Sequence, residues 1–307
     1  MGMLRYFTLA AASFASIAIS PRILFRLQNP GTIPYINRTR FIDPTKASTE
    51  RISGQREFEE WKQQFQGMTL PSTHSHSVRV TRIAKNIVGS MHSEINKLRS
   101  ISEDISQYGF LHRVWLRMTR KLPPSLSHLD GLNWEVLIVT GVPVRYFPAL
   151  VCPGGKIIAS TAFIELHPSD VELATMLAHE IAHIMARHGC ERRTKVELIS
   201  MIHRVLNRFV TIDFYQTVRN WIDHRFEFEA DYIGLLLMAA VGYDPRQAPK
   251  YYEKMAMFDV PVKYPVLARF LVSHPSGRER AKAVARPEIM KEALLLYNDY
   301  RGRRGVE

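Results

Sequence analysis

The stretch that decides the fold is HEIAH at residues 179–183, which is joined later in the chain by EFEAD at residues 227–231. Residues four positions apart lie on one face of a helix, so His179 and His183 can direct their imidazole nitrogens at a single metal ion. Glu180 follows the first histidine, where its carboxylate can reach a water molecule at the metal without being a ligand, and this is the position of a general base. The spacing therefore predicts a metal centre on a helix.

The second stretch supplies a third ligand. A catalytic zinc site takes three protein ligands and keeps one position open for water. If residues 224–240 are helical, Glu227, Asp231 and Gly234 recur on one face, whereas Glu229 is turned by about 200° to the other side. We therefore expect Glu227 to bind one zinc ion per chain together with the two histidines. Asp231 should accept the outer N–H of a zinc-bound histidine, and Gly234 should let the two helices approach closely.

The flanks of HEIAH predict a helix from about 170 to 188. Ser169 and Glu172 form a Ser-x-x-Glu capping box at its start, and Gly189 is a suitable stop after His188. Between these caps the segment is apolar almost all round, so the helix is expected to be buried. Two such helices, one with HEIAH and one with EFEAD, favour a zinc peptidase over polar side chains that merely satisfy one another in a core.

The rest of the chain is predicted to be mostly helical. Further helices are expected at about 77–97, 102–121, 194–222, 224–241, 246–257 and 278–299. Two short strands, at 135–140 and 156–161, are separated by an irregular segment, 143–153. These strands should form a small sheet over the metal helix.

The composition bears on partners more than on chemistry. The 307 residues carry a net charge of +12, which suggests an anionic neighbour such as phospholipid headgroups or nucleic acid. No nucleic-acid module or aromatic platform accompanies the basic clusters, so membrane lipid is the favoured partner and nucleic acid is not expected. A solvated basic surface explains the charge equally well. Cys152 and Cys190 form neither a CxxC pair nor a disulfide framework.

Together the two motifs resemble those of the gluzincin lineage, which contains the CAAX prenyl protease, HtpX and the Oma-type metalloendopeptidase of the mitochondrial inner membrane. Further segments are similar to the Oma branch, and most of all to its plant members: TIPY at 32–35, RTRF at 38–41, LNWEV at 132–136, PGGK at 153–156, ADYIGLLL at 230–237 and HPSG at 274–277. The resemblance implies His179, His183 and Glu227 as zinc ligands and Glu180 as the base. It also implies a zincin-type α+β fold, mostly helical, with a small β-sheet over the metal-binding helix.

Two residues outside the motifs bear on activity. In the lineage that the chain resembles, the His-Pro motif and Arg280 lie near the active-site side. His274 is therefore predicted to stabilise the oxyanion or to plug the open zinc position, and the alternative is a turn residue before the last helix. Pro148 stands where the family usually has an Asn-Ala-Phe-like stretch. A proline in the edge strand over the metal helix would remove one backbone donor to a bound substrate.

The N-terminus has the composition of a mitochondrial presequence. Residues 1–42 contain five arginines and no acidic residue. The uncharged run 6–20 would span roughly 22 Å as a helix, short of the ~30 Å hydrocarbon core, so it fits a presequence, a signal-like segment or a marginal anchor. We therefore predict a presequence or membrane anchor and linker at 1–45, a helical N-terminal part of the peptidase at 46–130, and the zincin catalytic domain at 131–307.

These observations predict an ATP-independent zinc metalloendopeptidase that cleaves membrane-associated or misfolded proteins in mitochondrial protein quality control. No segment resembles a P-loop. The alternative function is a catalytically silent, zinc-containing relative that binds peptides or membrane proteins. The expected location is the mitochondrial inner membrane, with another organelle membrane as the alternative. Protein substrates and membrane lipid are the expected partners, and assembly into a homo-oligomer is compatible with either function.

Overall fold

Helices dominate the structure, which a computed structural model describes for residues 30–32, 39–41, 47–106, 127–144, 149–206, 215–259 and 275–305. Within these ranges the helices are α1 (Ala47–Gln64), α2 (Ser75–Ser106), α3 (Thr161–Leu166), α4 (Asp170–Ala186), α5 (His188–Leu206), α6 (Tyr215–Ala239), α7 (Ala248–Met255), α8 (Gly277–Val284) and α9 (Pro287–Arg304). The strands are β1 (Pro30–Thr32), β2 (Thr39–Phe41), β3 (Glu135–Val139), β4 (Ala149–Cys152) and β5 (Lys156–Ser160). The predicted α+β class, mostly helical with a small sheet, is confirmed.

The sheet beside the metal helix has the strand order β3–β5–β4. β5 runs parallel to β3 and antiparallel to β4, and all five of its residues are buried. β4 therefore lies at the edge of this sheet, where it contacts α4. β1 and β2 form a second, antiparallel pair within the segment predicted to be a linker.

β4 occupies residues 149–152 of the segment 143–153, which we predicted to be irregular, and for these four residues that prediction was wrong. The turn at residues 153–155 folds β4 back onto β5, so that Cys152 pairs with Lys156. Gly154 and Gly155 have φ values of 91° and 88°, a conformation that glycine adopts without the steric cost other residues meet. The PGGK stretch is thus the turn of a β-hairpin.

The metal helix, α4, is the centre of the hydrophobic core. Eleven of its residues are buried, and it packs against α2, α6 and α7. Ser169 caps its start as predicted, because the hydroxyl oxygen accepts the Val171 N–H at 3.2 Å. Glu172 does not act as the reciprocal partner that we predicted. Its carboxylate accepts from Lys254 Nζ of α7 at 2.8 Å and so joins two helices.

The end of α4 differs from the prediction. The helix stops at Ala186, because Arg187 adopts the left-handed conformation with φ 55° and ψ 39°, and Gly189 lies in the first turn of α5. A left-handed residue with a side chain costs about 1–2 kcal/mol. The Arg187 guanidinium offsets this cost through a mostly buried ion pair with Glu50 of α1, at 2.6 Å between Nη2 and Oε2. A residue 137 positions earlier thus supports the turn.

Three other predicted helix boundaries were wrong. α2 continues through the predicted break at 97–102, and α6 continues through the one at 222–224. Neither place contains proline or glycine, and Asp223 is held inside α6 by Arg192 of α5 at 2.7 Å. The predicted helix at 278–299 is divided into α8 and α9, because Pro287 lacks an N–H and disfavours helix at the residue before it.

α6 crosses α4 at His179, one of the predicted metal ligands. A Cβ atom built on Gly234 would lie 2.8 Å from His179 N and 3.0 Å from His179 Cα, which is closer than side-chain atoms approach a backbone. The predicted close approach of the two helices at Gly234 is therefore confirmed. α8 packs against both α6 and α7 and begins with a reciprocal capping box between Ser276 and Glu279. This packing brings Arg280 toward the same crossing.

The length and apolar content of the described helices bear on membrane spanning. None of the helices in the described ranges combines the length and the apolar content needed to cross a bilayer. The uncharged run at 6–20, which we predicted to be a presequence or anchor, lies outside the described residues.

The crossing at Gly234 gives a direct stability test. We expect Gly234→Ala to lower the free energy of unfolding by about 1–3 kcal/mol, because the added methyl group forces α6 away from the backbone at His179. Gly302→Ala in α9 is the matched control, since a Cβ there meets no atom within 4 Å. Chemical denaturation measures both. A Gly234→Ala protein as stable as the wild type would contradict the close packing.

Candidate metal centre

Three side chains from α4 and α6 converge on one point. His179 Nε2 lies 3.2 Å from Glu227 Oε2, and His183 Nε2 lies 3.4 Å from Glu227 Oε1. The two Nε2 atoms are 3.1 Å apart. One donor atom of each residue lies within 4.8 Å of the other two, and the described residues contain no other such group of His, Cys, Asp or Glu. The structure thus brings together the three residues predicted as ligands.

This arrangement fits a divalent metal ion of zinc's size and preference. Two imidazole nitrogens and one carboxylate oxygen form a donor set that catalytic zinc sites use. Donors placed about 2.1 Å from an ion in a tetrahedron lie about 3.4 Å from one another. The contacts of 3.1–3.4 Å have this size, although each histidine faces a different Glu227 oxygen, and one donor atom of each residue lies within 4.8 Å of the others. His179 and Glu227 are buried, and His183 is mostly buried.

The outer nitrogen of His179 is held by Asp231. His179 Nδ1 lies 2.9 Å from Asp231 Oδ1, as predicted from the spacing on α6. The same oxygen accepts the Tyr252 hydroxyl at 2.6 Å, and the other oxygen accepts Arg280 Nε at 2.8 Å. A buried carboxylate with these partners remains charged, so it can fix both the orientation and the tautomer of the His179 ring.

The outer nitrogen of His183 has a different partner. His183 Nδ1 lies 2.8 Å from Nδ1 of His188, the first residue of α5. His188 Nε2 in turn lies 3.4 Å from Glu229 Oε1 of α6. Glu229 therefore points away from the ligand cluster, as predicted, and contacts His188, which in turn contacts the predicted ligand His183.

The electrostatics of the cluster favour a positive charge between the carboxylates. Burial and the nearby Arg280 oppose protonation of His179, yet Asp231 and Glu227 outweigh them and raise its pKa to about 9. Burial lowers the pKa of His183 well below its usual value. Burial alone would raise the pKa of Asp231, but the Arg280 charge overrides this effect and lowers it. A divalent cation would supply the positive charge that this position favours.

Glu180 lies on α4 beside the first ligand and is partly exposed. Its negative charge acts on residues of two neighbouring elements, β4 and α7. Burial raises the pKa of the Cys152 thiol to about 12, and the negative charges of Glu57 and Glu180 add to the effect. Burial also raises the pKa of Tyr251 on α7, again with a contribution from Glu180. Glu180 is therefore within electrostatic reach of both β4 and α7.

Two residues that the sequence singled out cannot be placed. His274 and Pro148 lie outside the described residues. The neighbouring Pro275 is buried, and Ser276 caps α8. Arg280, which the resemblance placed near the active-site side, contacts Asp231 through two nitrogens and lies 3.8 Å from Glu227 Oε2.

Sequence analysis missed three residues of this site. Tyr252 pairs with Asp231 from another helix, and nothing in its local pattern signals that contact. His188 was treated only as the last residue of the metal helix. Its position five residues after His183 does not place it on the same helical face, and the left-handed turn at Arg187 brings it back to that ring. Glu229 was expected only to face away from the ligands, and its contact with the site depends on the unpredicted position of His188.

Comparisons with known proteins agree with the geometry. Residues 109–288 match the family described as peptidase family M48. The chain is similar to the mitochondrial metalloendopeptidase OMA1 of Arabidopsis thaliana, with 34% identity over 91% of this chain and 65% of the relative. It is 26% identical to the protein of the same name from Saccharomyces cerevisiae, over 86% of this chain and 70% of the relative.

A human relative, the mitochondrial metalloendopeptidase OMA1 of Homo sapiens, is 25% identical over 53% of this chain and 34% of its own length. The resemblance to the Oma branch and to a plant member is thereby confirmed. The chain spans slightly less than two thirds of the plant protein's length. Since the family match covers more than half of the residues and includes both motifs, the chain belongs to peptidase family M48.

Proposed function

We propose that this protein is a zinc metalloendopeptidase with one zinc ion per chain. The observation that carries the proposal is the convergence of His179, His183 and Glu227 at donor distances of 3.1–3.4 Å, with Glu180 next to the first ligand. The names of the relatives support it, because each describes a metalloendopeptidase. A purely structural zinc site would not need a partly exposed carboxylate next to the first ligand.

The residues of this chain have distinct roles in the proposed reaction. When bound, zinc polarises the scissile carbonyl group and acidifies a water molecule. Glu180 takes a proton from the attacking water and passes it to the leaving amine. Asp231 accepts the N–H of His179 Nδ1, which leaves the lone pair of Nε2 available to bind the metal ion. β4 pairs only with β5 among the described strands, and its other edge would accept an extended substrate as a further strand of the sheet.

The substrates and the location are also part of the proposal. The names of the relatives support a mitochondrial enzyme. The net charge of +12 and the uncharged run at 6–20 support attachment to the inner membrane and contact with its lipids. We propose membrane-associated or misfolded proteins as substrates in mitochondrial quality control. Cleavage would not require ATP, since no segment of the chain resembles a P-loop.

The role of Glu180 can be separated from metal binding. Glu180→Gln should keep zinc content and folding near those of the wild type, because the residue is not a ligand. It should lower cleavage of an unfolded protein such as casein by about 100-fold or more, since a positioned general base contributes this much. Glu165→Gln, which removes an exposed carboxylate of the same size from α3, is the matched control and should cleave normally.

The outcomes distinguish the two functions that the sequence allows. Equal cleavage by the wild type and Glu180→Gln, both loaded with zinc, would refute the proposed chemistry. A zinc-loaded wild type that binds casein without cutting it would instead identify a catalytically silent relative. Loss of zinc in Glu180→Gln would show that the carboxylate holds the metal.

The proposed location has its own test. Residues 1–45 fused to a fluorescent reporter should direct it to mitochondria and to their membrane fraction, because this segment is rich in arginine and free of acidic residues up to residue 42. A matched fusion with Arg5, Arg22 and Arg26 changed to Gln should lose import. A cytosolic or secretory distribution of the unchanged fusion would contradict the proposal.

A further inference from the structure

A second buried carboxylate, besides Asp231, lies near the candidate metal centre. It belongs to Glu229, which is 8% exposed and reaches the site through His188, which is 1% exposed. The three groups form a line from Glu229 Oε1 to His188 Nε2 at 3.4 Å, and from His188 Nδ1 to His183 Nδ1 at 2.8 Å. Neither Glu229 nor His188 has a role in the ligand set described above.

The His188 ring is fixed by the chain around it. It stacks on the Phe226 ring with centroids 4.6 Å apart and an angle of 15° between the planes. Its backbone follows Arg187, whose left-handed conformation is supported by the ion pair with Glu50. The contact with His183 therefore results from a turn and a stacking interaction that both need specific side chains.

The position of protons along this line is determined by its two ends. His183 must present an unprotonated Nε2 to a metal ion, so its proton lies on Nδ1 and needs an acceptor. His188 Nδ1 is that acceptor, at 2.8 Å. The proton of His188 then lies on Nε2, where it faces the Glu229 carboxylate.

The reverse arrangement is unfavourable at both ends. If His188 Nδ1 carried the proton and donated it, His183 would be protonated on Nε2 and could not bind a metal ion. The lone pair of His188 Nε2 would then face the negatively charged Glu229 inside the protein. Burial makes such an unpaired contact costly. Glu229 therefore selects the tautomer of His188, and His188 selects that of His183.

We propose that His188 and Glu229 are positioning residues that prepare His183 for zinc, as Asp231 prepares His179. The two ligands of α4 would thus be supported differently: His179 by a carboxylate in direct contact, and His183 by a carboxylate acting through a second imidazole. This inference rests on the proposed zinc site and concerns metal affinity, so it does not depend on whether the protein cleaves peptides.

Zinc affinity of the purified full-length chain tests the inference. His188→Phe keeps an aromatic ring against Phe226 but removes the acceptor for His183. We expect its zinc dissociation constant, measured by competition with a chromophoric chelator, to rise about 10–100-fold, which is the usual effect of losing an outer partner of a ligand. His188→Gln offers an amide oxygen as an acceptor and should restore much of the affinity.

Matched variants separate positioning from general damage. His167→Phe replaces another fully buried histidine that packs against aromatic rings, and it should leave zinc affinity unchanged. Glu229→Leu should weaken zinc binding, and combining it with His188→Phe should add little further loss, since both act through one contact. The visible spectrum of the cobalt(II)-substituted protein should change in His188→Phe and remain that of the wild type in His167→Phe.

The outcomes also separate this inference from the proposed function. If the wild type binds zinc tightly and folded His188→Phe binds it equally well, the inference is overturned and the peptidase proposal stands. If His188→Phe does not fold, the zinc affinities of Glu229→Leu and Glu229→Gln are compared with that of the wild type. Unchanged zinc affinity in both variants would also overturn the inference. A wild type that takes up no zinc overturns both.

Discussion

The close crossing of α4 and α6 is the constraint on which the site depends. Because Gly234 has no side chain, the backbone of α6 approaches that of α4 at His179, and Glu227 then reaches both histidines. When metal ligands come from two helices, the spacing of their donor atoms depends on the distance between the helix axes. The remaining elements maintain this distance: α2 and α7 pack against α4, and α8 packs against α6 and α7.

The crossing buries a dense group of charges, and these charges explain much of the surrounding polar structure. His179, Glu227 and Asp231 are buried in an otherwise apolar core, where each unpaired polar group costs roughly 1–3 kcal/mol. Arg280 and Tyr252 offset the charge of Asp231, and Arg280 also packs over the Tyr252 ring at 4.5 Å. A cation between Glu227 and the histidines would complete the compensation. In this view the metal contributes to folding as well as to chemistry.

The parts of the site that the sequence predicted are those governed by helical periodicity. The spacing of four between His179 and His183, the spacing of four between Glu227 and Asp231, and the need for a small residue at Gly234 all follow from 3.6 residues per turn. Two short apolar runs predicted strands β3 and β5 of the small sheet, but its edge strand β4 was not predicted. β4 has only four residues, too few for a recognisable pattern of apolar and polar side chains. Its position depends on the hairpin turn and on its pairing with β5.

The parts that could not be predicted depend on contacts between distant segments. The left-handed turn at Arg187 depends on Glu50, and it ends α4 two residues before the position that Gly189 suggested. That turn brings His188 to His183, a contact that no local pattern signals. Tyr252 likewise reaches Asp231 only through the packing of α7. Pro287 divides the helix predicted at 278–299, and the predicted break at 222–224 does not occur, because Asp223 pairs with Arg192 of α5 inside a continuous α6.

The most direct test of the central claim is anomalous diffraction at the zinc edge from crystals of the purified chain. We expect a single peak per chain, within about 2.0–2.2 Å of His179 Nε2, His183 Nε2 and one carboxylate oxygen of Glu227. Data collected below the edge, where the peak should nearly vanish, identify the element. A peak located away from these three residues, or no peak in protein crystallised with zinc, would contradict the account.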